Sequence, residues 1–400
     1  MGNIIFFDSA RKGGTGKSKV SINTAVTMAR DDGKTLLIEA DYTNPNYIST
    51  YKQFIEHEEN KNSYEWFKDI LGHKIKMVSA ANSPKTNGGA SKLSKVEPKL
   101  RDYIQKTKIA NLDILIGKKR QNDLLEQMVN ENRNIFPLNP MIVESTLKDK
   151  FIKNVKKLSN EYDHVIIDGY AGYDYLTGKL FGIADKHIIV AENNEASAES
   201  VYNNMYDTIN RIFGSMIDRS IAAFEISSNY NISTANKTGI QVYDEILSKA
   251  KDVKKELRDY DLKKCRKESI SADEDELYAK FSKYSKDISA LIEESEERRS
   301  KLTTLCVIIN KVNSDILGKQ RSLAEDNYKL IKQGLGEYGI RSITPGFEKN
   351  SDGGIIYYYK DFYKEDEQGL PLTYLNPNHN FSTQIKNLTN FIKADECWKK

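Results

Sequence analysis

Lys12-Gly13-Gly14-Thr15-Gly16-Lys17-Ser18 is the stretch of this 400-residue chain whose residue types and spacing most directly specify chemistry. An apolar run, Ile4 to Phe7, precedes it, and a helical pattern opens near Lys19 to Asn23. Strand, glycine-rich loop and helix in that order are the context of a phosphate-binding P-loop. Gly13, Gly14, Thr15 and Gly16 can close backbone N–H groups around phosphate oxygens, and the helix N-terminus adds its positive end. Lys17 can then reach the β- and γ-phosphates, while the Ser18 hydroxyl is a ligand suited to Mg²⁺. Lys19 follows as a further point charge, able to meet the α-phosphate or to project into solvent.

Acids stand at the ends of two further apolar runs. Val165-Ile166-Ile167-Asp168 reads as a buried strand ending in a carboxylate, the arrangement in which an acid holds Mg²⁺ through its water, so Asp168 joins Ser18 as a candidate metal residue. Leu37-Ile38-Glu39-Ala40-Asp41 places two more carboxylates at a strand end, followed by Tyr42-Thr43-Asn44-Pro45-Asn46. Acids at strand ends are also common as plain surface residues.

One feature separates the loop from an ordinary P-loop. Lys12 gives it a second lysine, in the form KGGxGK[ST]. With the acids above, this resembles the ParA/MinD family of deviant Walker A ATPases, and the resemblance covers most of the chain outside a helical insert. In that family the extra lysine reaches the phosphates of a partner's nucleotide. The resemblance therefore implies an ATP-driven homodimer with Lys12, Lys17 and Asp41 as catalytic residues. An added cation at the γ-phosphate stabilises charge that develops in phosphoryl transfer. Asp41 would orient the attacking water, and Glu39, in place of the family's first acid, would keep a longer carboxylate near the metal.

The resemblance extends to Gly169-Tyr170-Ala171-Gly172, which is similar to the family's switch II, where the amide at the Gly172 position senses the γ-phosphate; the usual proline is missing. Asn310, in Ile309-Asn310-Lys311-Val312-Asn313, matches the asparagine that contacts adenine, and Asn313 stands where a guanine-binding protein would have aspartate. ATP with Mg²⁺ is accordingly the expected ligand. Pro345, within Ser342 to Phe347, resembles the later loop on the adenine side.

The elements that must position these residues alternate. Short apolar runs at Ile4 to Phe7, Thr35 to Ile38, Leu112 to Ile116, His164 to Ile167, His187 to Val190 and Leu305 to Ile309 are separated by helical patterns. That order predicts an α/β fold with a predominantly parallel sheet flanked by helices, and ligands beyond the carboxyl ends of the strands. Ser79 to Pro98, rich in Ser, Asn, Gly and Lys, reads as an exposed loop, either a lid or an insertion.

From 230 to 301 charge dominates, with apolar stripes at helical spacing: Val242, Ile246, Val253, Leu257 and Tyr260, then Leu277, Phe281, Tyr284, Ile288 and Leu291. The reading is an inserted helical hairpin, with residues 1–229 and 302–400 forming the ATPase domain. Lys249, Lys251, Lys254, Lys255, Arg258, Lys263, Lys264, Arg266 and Lys267 make its first arm basic, whereas the second carries acids. The arms could neutralise one another, or the basic arm could meet DNA or a protein partner.

Bulk properties exclude little. Hydrophobic residues make up 39%, charged residues 29%, and the formal net charge is +3, so any basic surface must be local. Cys265, Cys306 and Cys397 form no CxxC pair, which argues against a zinc or redox site and against an iron–sulfur relative. No run of about 18 apolar residues is present, and the chain reads as cytoplasmic, nucleoid-associated if DNA is its surface. Within the family, the resemblance implies a partition or positioning ATPase that binds DNA non-specifically and is turned over by an activating partner protein. A MinD-like regulator recruited to membrane or protein is the alternative. Membrane binding is disfavoured because Phe381, Ile385, Leu388 and Ile392 read as a stripe packed on the sheet. A tyrosine-kinase relative, suggested by Tyr357, Tyr358, Tyr359 and Tyr363, is disfavoured by the signature lysine; a strand suits that cluster better.

Overall fold

The structure is a computed structural model, and it describes residues 2–31, 33–42, 44–82, 97–118, 140–172, 174–217, 220–233, 235–313, 317–345, 355–358 and 367–398. Its strands are β1 (Asn3–Asp8), β2 (Thr35–Glu39), β3 (Gln105–Lys106), β4 (Leu112–Leu115), β5 (His164–Asp168), β6 (Lys186–Glu192), β7 (Thr304–Asn313), β8 (Arg341–Ile343) and β9 (Ile355–Tyr358). They form one sheet in the order β3-β4-β2-β5-β1-β6-β7-β8, with β9 also on β7. β8 pairs with the first residues of β7 and β9 with its last, so one long strand carries two short neighbours. Every pairing is parallel except that of β3 with β4.

All six strands expected from the apolar runs are present. Their near-continuous burial, such as Ile4 to Asp8 in β1 and Val165 to Asp168 in β5, reflects helices on both faces. The helices are α1 (Lys17–Arg30), α2 (Tyr47–Thr50), α3 (Ser63–Asn82), α4 (Pro140–Leu158), α5 (Tyr175–Ile183), α6 (Glu195–Ile217), α7 (Ile221–Asn229), α8 (Gly239–Arg266), α9 (Ala272–Phe281), α10 (Ser285–Leu302), α11 (Leu317–Glu337), α12 (Leu372–Leu375) and α13 (Asn380–Lys393).

Two compact units make up the chain: Met1–Asn203 with Thr304–Lys399, and Asn204–Thr303. In the first, Val20, Val26 and Met28 of α1 pack in one cluster with Ile5 and Phe7 of β1 and with Phe381, Ile385, Leu388 and Ile392 of α13. Those four α13 residues recur at helical spacing and are at most 1% exposed, so this stripe is core and offers no free apolar face. Trp66, Phe67 and Phe151 form a second aromatic packing between α3 and α4.

The second unit is helical and starts upstream of the expected boundary at 230. The reason lies in its core: Ala222, Ala223 and Ile226 of α7 pack with Val242, Ile246, Val253 and Leu257 of α8 and with Phe281 and Ile288 of the returning arm. Phe213, near the end of α6, also meets Tyr243. The expected hairpin is therefore α8 against a return arm broken into α9 and α10, with α7 added to it. Capping boxes at Thr238 with Gln241 and at Ser271 with Glu274 set the starts of α8 and α9. Of the two charge readings, pairing between arms occurs at Lys263–Glu274 (2.5 Å) and Arg299–Asp244 (2.8 Å). Lys251, Lys254, Lys255 and Arg258 nevertheless remain exposed at helical spacing on α8.

The expected loop from Ser79 to Pro98 is corrected at its start, where Ser79 to Asn82 complete α3; residues 83–96 lie outside the described residues. Tyr357 and Tyr358 belong to β9, whereas Tyr359 and Tyr363 lie outside the described residues.

Candidate functional site

The P-loop leaves β1 through Asp8, whose Oδ1 accepts from Ser9 N (2.6 Å) and Ala10 N (2.9 Å). These bonds support a turn in which Ala10 (φ 51°) and Arg11 (φ 64°) are both left-handed, a conformation uncommon for side-chain-bearing residues. Lys12 N closes the turn on Ser9 O (3.0 Å), and Ser200 Oγ donates to Ala10 O (2.8 Å). Burial pushes the Asp8 carboxyl up from 3.8 to about 6, opposed by the charge of Lys17 and by the two backbone N–H donors.

Gly16 is the N-cap of α1 at φ 84°, and a Cβ there would run into Asn310 Nδ2. Asn310, from β7, donates that Nδ2 to Thr15 O (2.6 Å). The asparagine expected at the base thus braces the loop, and a side chain at Gly16 would displace it.

Loop and strand ends enclose a cavity of about 540 Å³, within the range of small-molecule sites. Lys12, Gly13, Gly14, Thr15, Gly16, Lys17, Ser18, Lys19, Asp41 and Asn310 all line it. Residues separated by almost three hundred positions are thereby brought to one place. At its base Lys17 Nζ donates to Asp168 Oδ1, and both side chains are at least 95% buried. At its rim Lys12 Nζ donates to Asn194 Oδ1 (3.1 Å).

Glu39, expected at the metal, is bound by three backbone amides. It does not line the cavity: Oε1 accepts from Asn46 N (2.7 Å) and Tyr47 N (3.0 Å), and Oε2 accepts from Gly117 N (3.1 Å). Burial pushes its carboxyl up to about 8 although those three donors favour the charge. Held by three amides, the Glu39 side chain ties the loop after β2 to the end of β4. Asp41 faces the cavity from that loop and accepts from Asn44 N (3.0 Å).

Gly172 and Pro345 do not line the cavity. A Cβ on Gly172 would meet the ring of Tyr170, which lines the cavity itself. Pro345 lies two residues beyond β8, half-buried.

Several lining residues escaped sequence reasoning: Ser9, Asn46, Tyr170, Lys311 and Phe381. Tyr170 and Lys311 adjoin recognised motifs and were within reach. Phe381 belongs to a stripe indistinguishable from core, and only the fold brings its helix to α1.

The donor set fits a polyphosphate with a hard cation. Thr15 Oγ1 and Asp168 Oδ2 are buried with no hydrogen-bond partner among the described residues, and buried polar atoms left unpaired call for a ligand, water or ion. Among the described residues no group of three or more His, Cys, Asp or Glu could hold a metal by itself. Mg²⁺ in phosphate sites takes few protein oxygens beside phosphates and water. Ser18 and Asp168 are the side chains that would hold it.

Sheet, left-handed loop entry and paired lysine and acid define a P-loop protein of the α/β class. The chain belongs to the AAA domain family AAA_31, which matches residues 2–222, and the KGGxGKS signature falls inside that match. Among solved structures it is similar to a ParA family ATPase from Chlorobium tepidum TLS, at 13% identity over 98% of this chain and 99% of that one, TM-score 0.46. It is also similar to the septum site-determining protein MinD with Mg-ADP from Pyrococcus horikoshii OT3, at 13% identity over 98% and 96%, TM-score 0.49. A third is the MinD cell division protein of Aquifex aeolicus, at 15% identity over 98% and 97%, TM-score 0.47. No curated protein matches the sequence. Among the described residues no helix is long and apolar enough to cross a membrane.

Proposed function

We propose that this chain is an ATP-dependent dimerising switch, a Mg²⁺-dependent ATPase of the partition or positioning kind. The observation that carries the reading is the pair of lysines in one loop: Lys17 at the cavity base and Lys12 at its rim, 30% exposed. A rim cation held apart from the base lysine suits a role toward a second nucleotide. In this reading ATP and Mg²⁺ close two copies face to face, and Lys12 of each stabilises phosphate charge in the other. Asp41 orients the attacking water, Ser18 and Asp168 hold the metal, and Gly172 reports the γ-phosphate. Asn310 contacts adenine, with Lys19 and the Pro345 loop toward the rest of the nucleotide. An activating partner protein ends the cycle.

The surface bound by the closed dimer is non-specific DNA. The exposed Lys251, Lys254, Lys255 and Arg258 on one side of α8 favour it, since such a row neutralises backbone phosphates. The buried α13 stripe weighs against a membrane anchor made from that helix.

Light scattering with ATP and Mg²⁺ tests the switch: mass should double, and Asp41→Ala should hold the doubled state by blocking hydrolysis. Unchanged mass would sink it. DNA sedimentation at two salt concentrations tests the surface. ATP-dependent binding that weakens steeply with salt is expected, and Lys254→Glu with Lys255→Glu should reduce both affinity and salt slope. Binding to anionic liposomes instead of DNA would favour the MinD-like alternative.

A further inference from the structure

β6 ends at Glu192 and is followed by Asn193-Asn194, and the side chains of Glu192 and Asn194 are directed at the signature lysine. Lys12 Nζ donates to Asn194 Oδ1 (3.1 Å) and lies 3.6 Å from Glu192 Oε2. Glu192 Oε1 simultaneously accepts from Lys311 Nζ at 3.2 Å. One carboxylate therefore bridges two lysines that line the same cavity.

Both sides of this contact are held by further bonds. Asn194 Oδ1 accepts from Ser197 N (2.8 Å), and Glu192 N donates to Ser197 Oγ (2.9 Å), which fixes the strand end against the start of α6. Lys12 leaves the tight turn described above, and Lys311 is held at φ 62°. Glu192 and Lys12 are 28% and 30% exposed, so water screens the pair only in part. Burial works against the Glu192 charge, but the hydrogen bond and charge of Lys311, with Asn194 and Lys12, outweigh it and hold the carboxyl below its ordinary range.

We propose that Glu192 is a positioning residue for Lys12: it holds the signature lysine on its own chain's rim, and phosphates entering the cavity compete with it for that ammonium. The inference rests on the reading of the cavity as a nucleotide site and adds a threshold to it. Release of Lys12 leaves Glu192 still paired with Lys311, so no carboxylate is stranded. Lys12 can then turn to phosphate, whether in its own site or in a partner's.

The test is a double-mutant cycle on the full chain, read by titration with a fluorescent ATP analogue. Glu192→Gln should tighten binding by roughly 3- to 5-fold, the upper part of the scale of one partly exposed ion pair. In a Lys12→Ala background the same change should fall below about 2-fold. Glu192→Asp keeps the charge and shortens the reach; it should follow Gln if the contact matters and wild type if only net charge does. In nucleotide-free protein, amine acylation followed by peptide mass analysis should label Lys12 faster in Glu192→Gln than in wild type. Unchanged affinity and labelling, or tightening that survives Lys12→Ala, would overturn the proposal. A positive cycle without ATP-dependent mass doubling would leave Glu192 in this role and remove the dimer switch. Absence of any nucleotide binding would end both.

Discussion

Lys17 and Asp168 form an ion pair beneath the cavity, with 5% and 1% of their side chains exposed. Each is also a group the nucleotide and its metal would claim, and the charge of Lys17 acts on the buried Asp8 as well. In the nucleotide-free protein the pair keeps a buried charge of either sign from standing alone.

Asp168→Asn should therefore destabilise the nucleotide-free protein by about 3–5 kcal/mol, because a buried ammonium loses its counter-charge. Urea unfolding in EDTA measures it. A loss below about 1 kcal/mol would mean that Lys17 finds another partner, and that the pair has no structural role.

Gly16→Ala combines two penalties. At φ 84° a left-handed alanine costs about 1–2 kcal/mol, and its Cβ displaces Asn310 from Thr15 O, a bond worth about 1 kcal/mol. Thermal unfolding should show both. Adding Asn310→Ala removes the collision and leaves the backbone penalty, so the double variant should lose less than the sum of the two single changes.

How far the sequence carried this reading depends on range. The phosphate loop was legible because its chemistry lies in seven consecutive residues between a strand and a helix. The strands were legible because burial on both faces leaves almost unbroken apolar runs. The amide contacts of Glu39 are not legible, because a carboxylate at a strand end looks alike in sequence whether or not it meets the amides of Asn46, Tyr47 and Gly117, the last of them far along the chain. That the helical unit includes residues before 230 is not legible, because Phe213 and the α7 residues carry ordinary apolar spacing. Their allegiance to α8 is a packing fact. The contact of Lys12 with Glu192 was hidden for the same reason: nothing local marks a strand-end glutamate as the partner of a lysine 180 positions earlier.

Asp8 should give the nucleotide-free protein a specific pH dependence. Its carboxyl titrates near 3.8 when unfolded and about 6 when folded, so between those values the folded state keeps a proton that the unfolded state has released. Stability from this group is thus full below about 4, falls as pH rises to about 6, and is flat above. Asp8→Asn can still accept from Ser9 N and Ala10 N without the charge. It should be more stable than wild type by about 1–3 kcal/mol at pH 7.5 and equal to it near pH 3.5, the upper figure following from roughly two pH units. Urea titrations across pH in EDTA check this, and a constant difference at all pH values would count against it.

Phe281 is 3% exposed in the core of the helical unit, where it packs with residues of α7 and α8 and stacks at 6.2 Å on Tyr230. Phe281→Ala should remove about 3–5 kcal/mol from that unit, the usual loss for a buried aromatic and the cavity left behind. Hydrogen exchange should report it as faster amide exchange throughout α8, α9 and α10. The nucleotide site is built from other residues, since every side chain lining the cavity comes from the first unit. ATP-analogue affinity should accordingly stay within about 2-fold of wild type, while DNA sedimentation weakens if the basic row on α8 is the binding surface. A matching loss of nucleotide affinity would show that the two units fold as one, and the helical unit could then no longer be treated as an accessory.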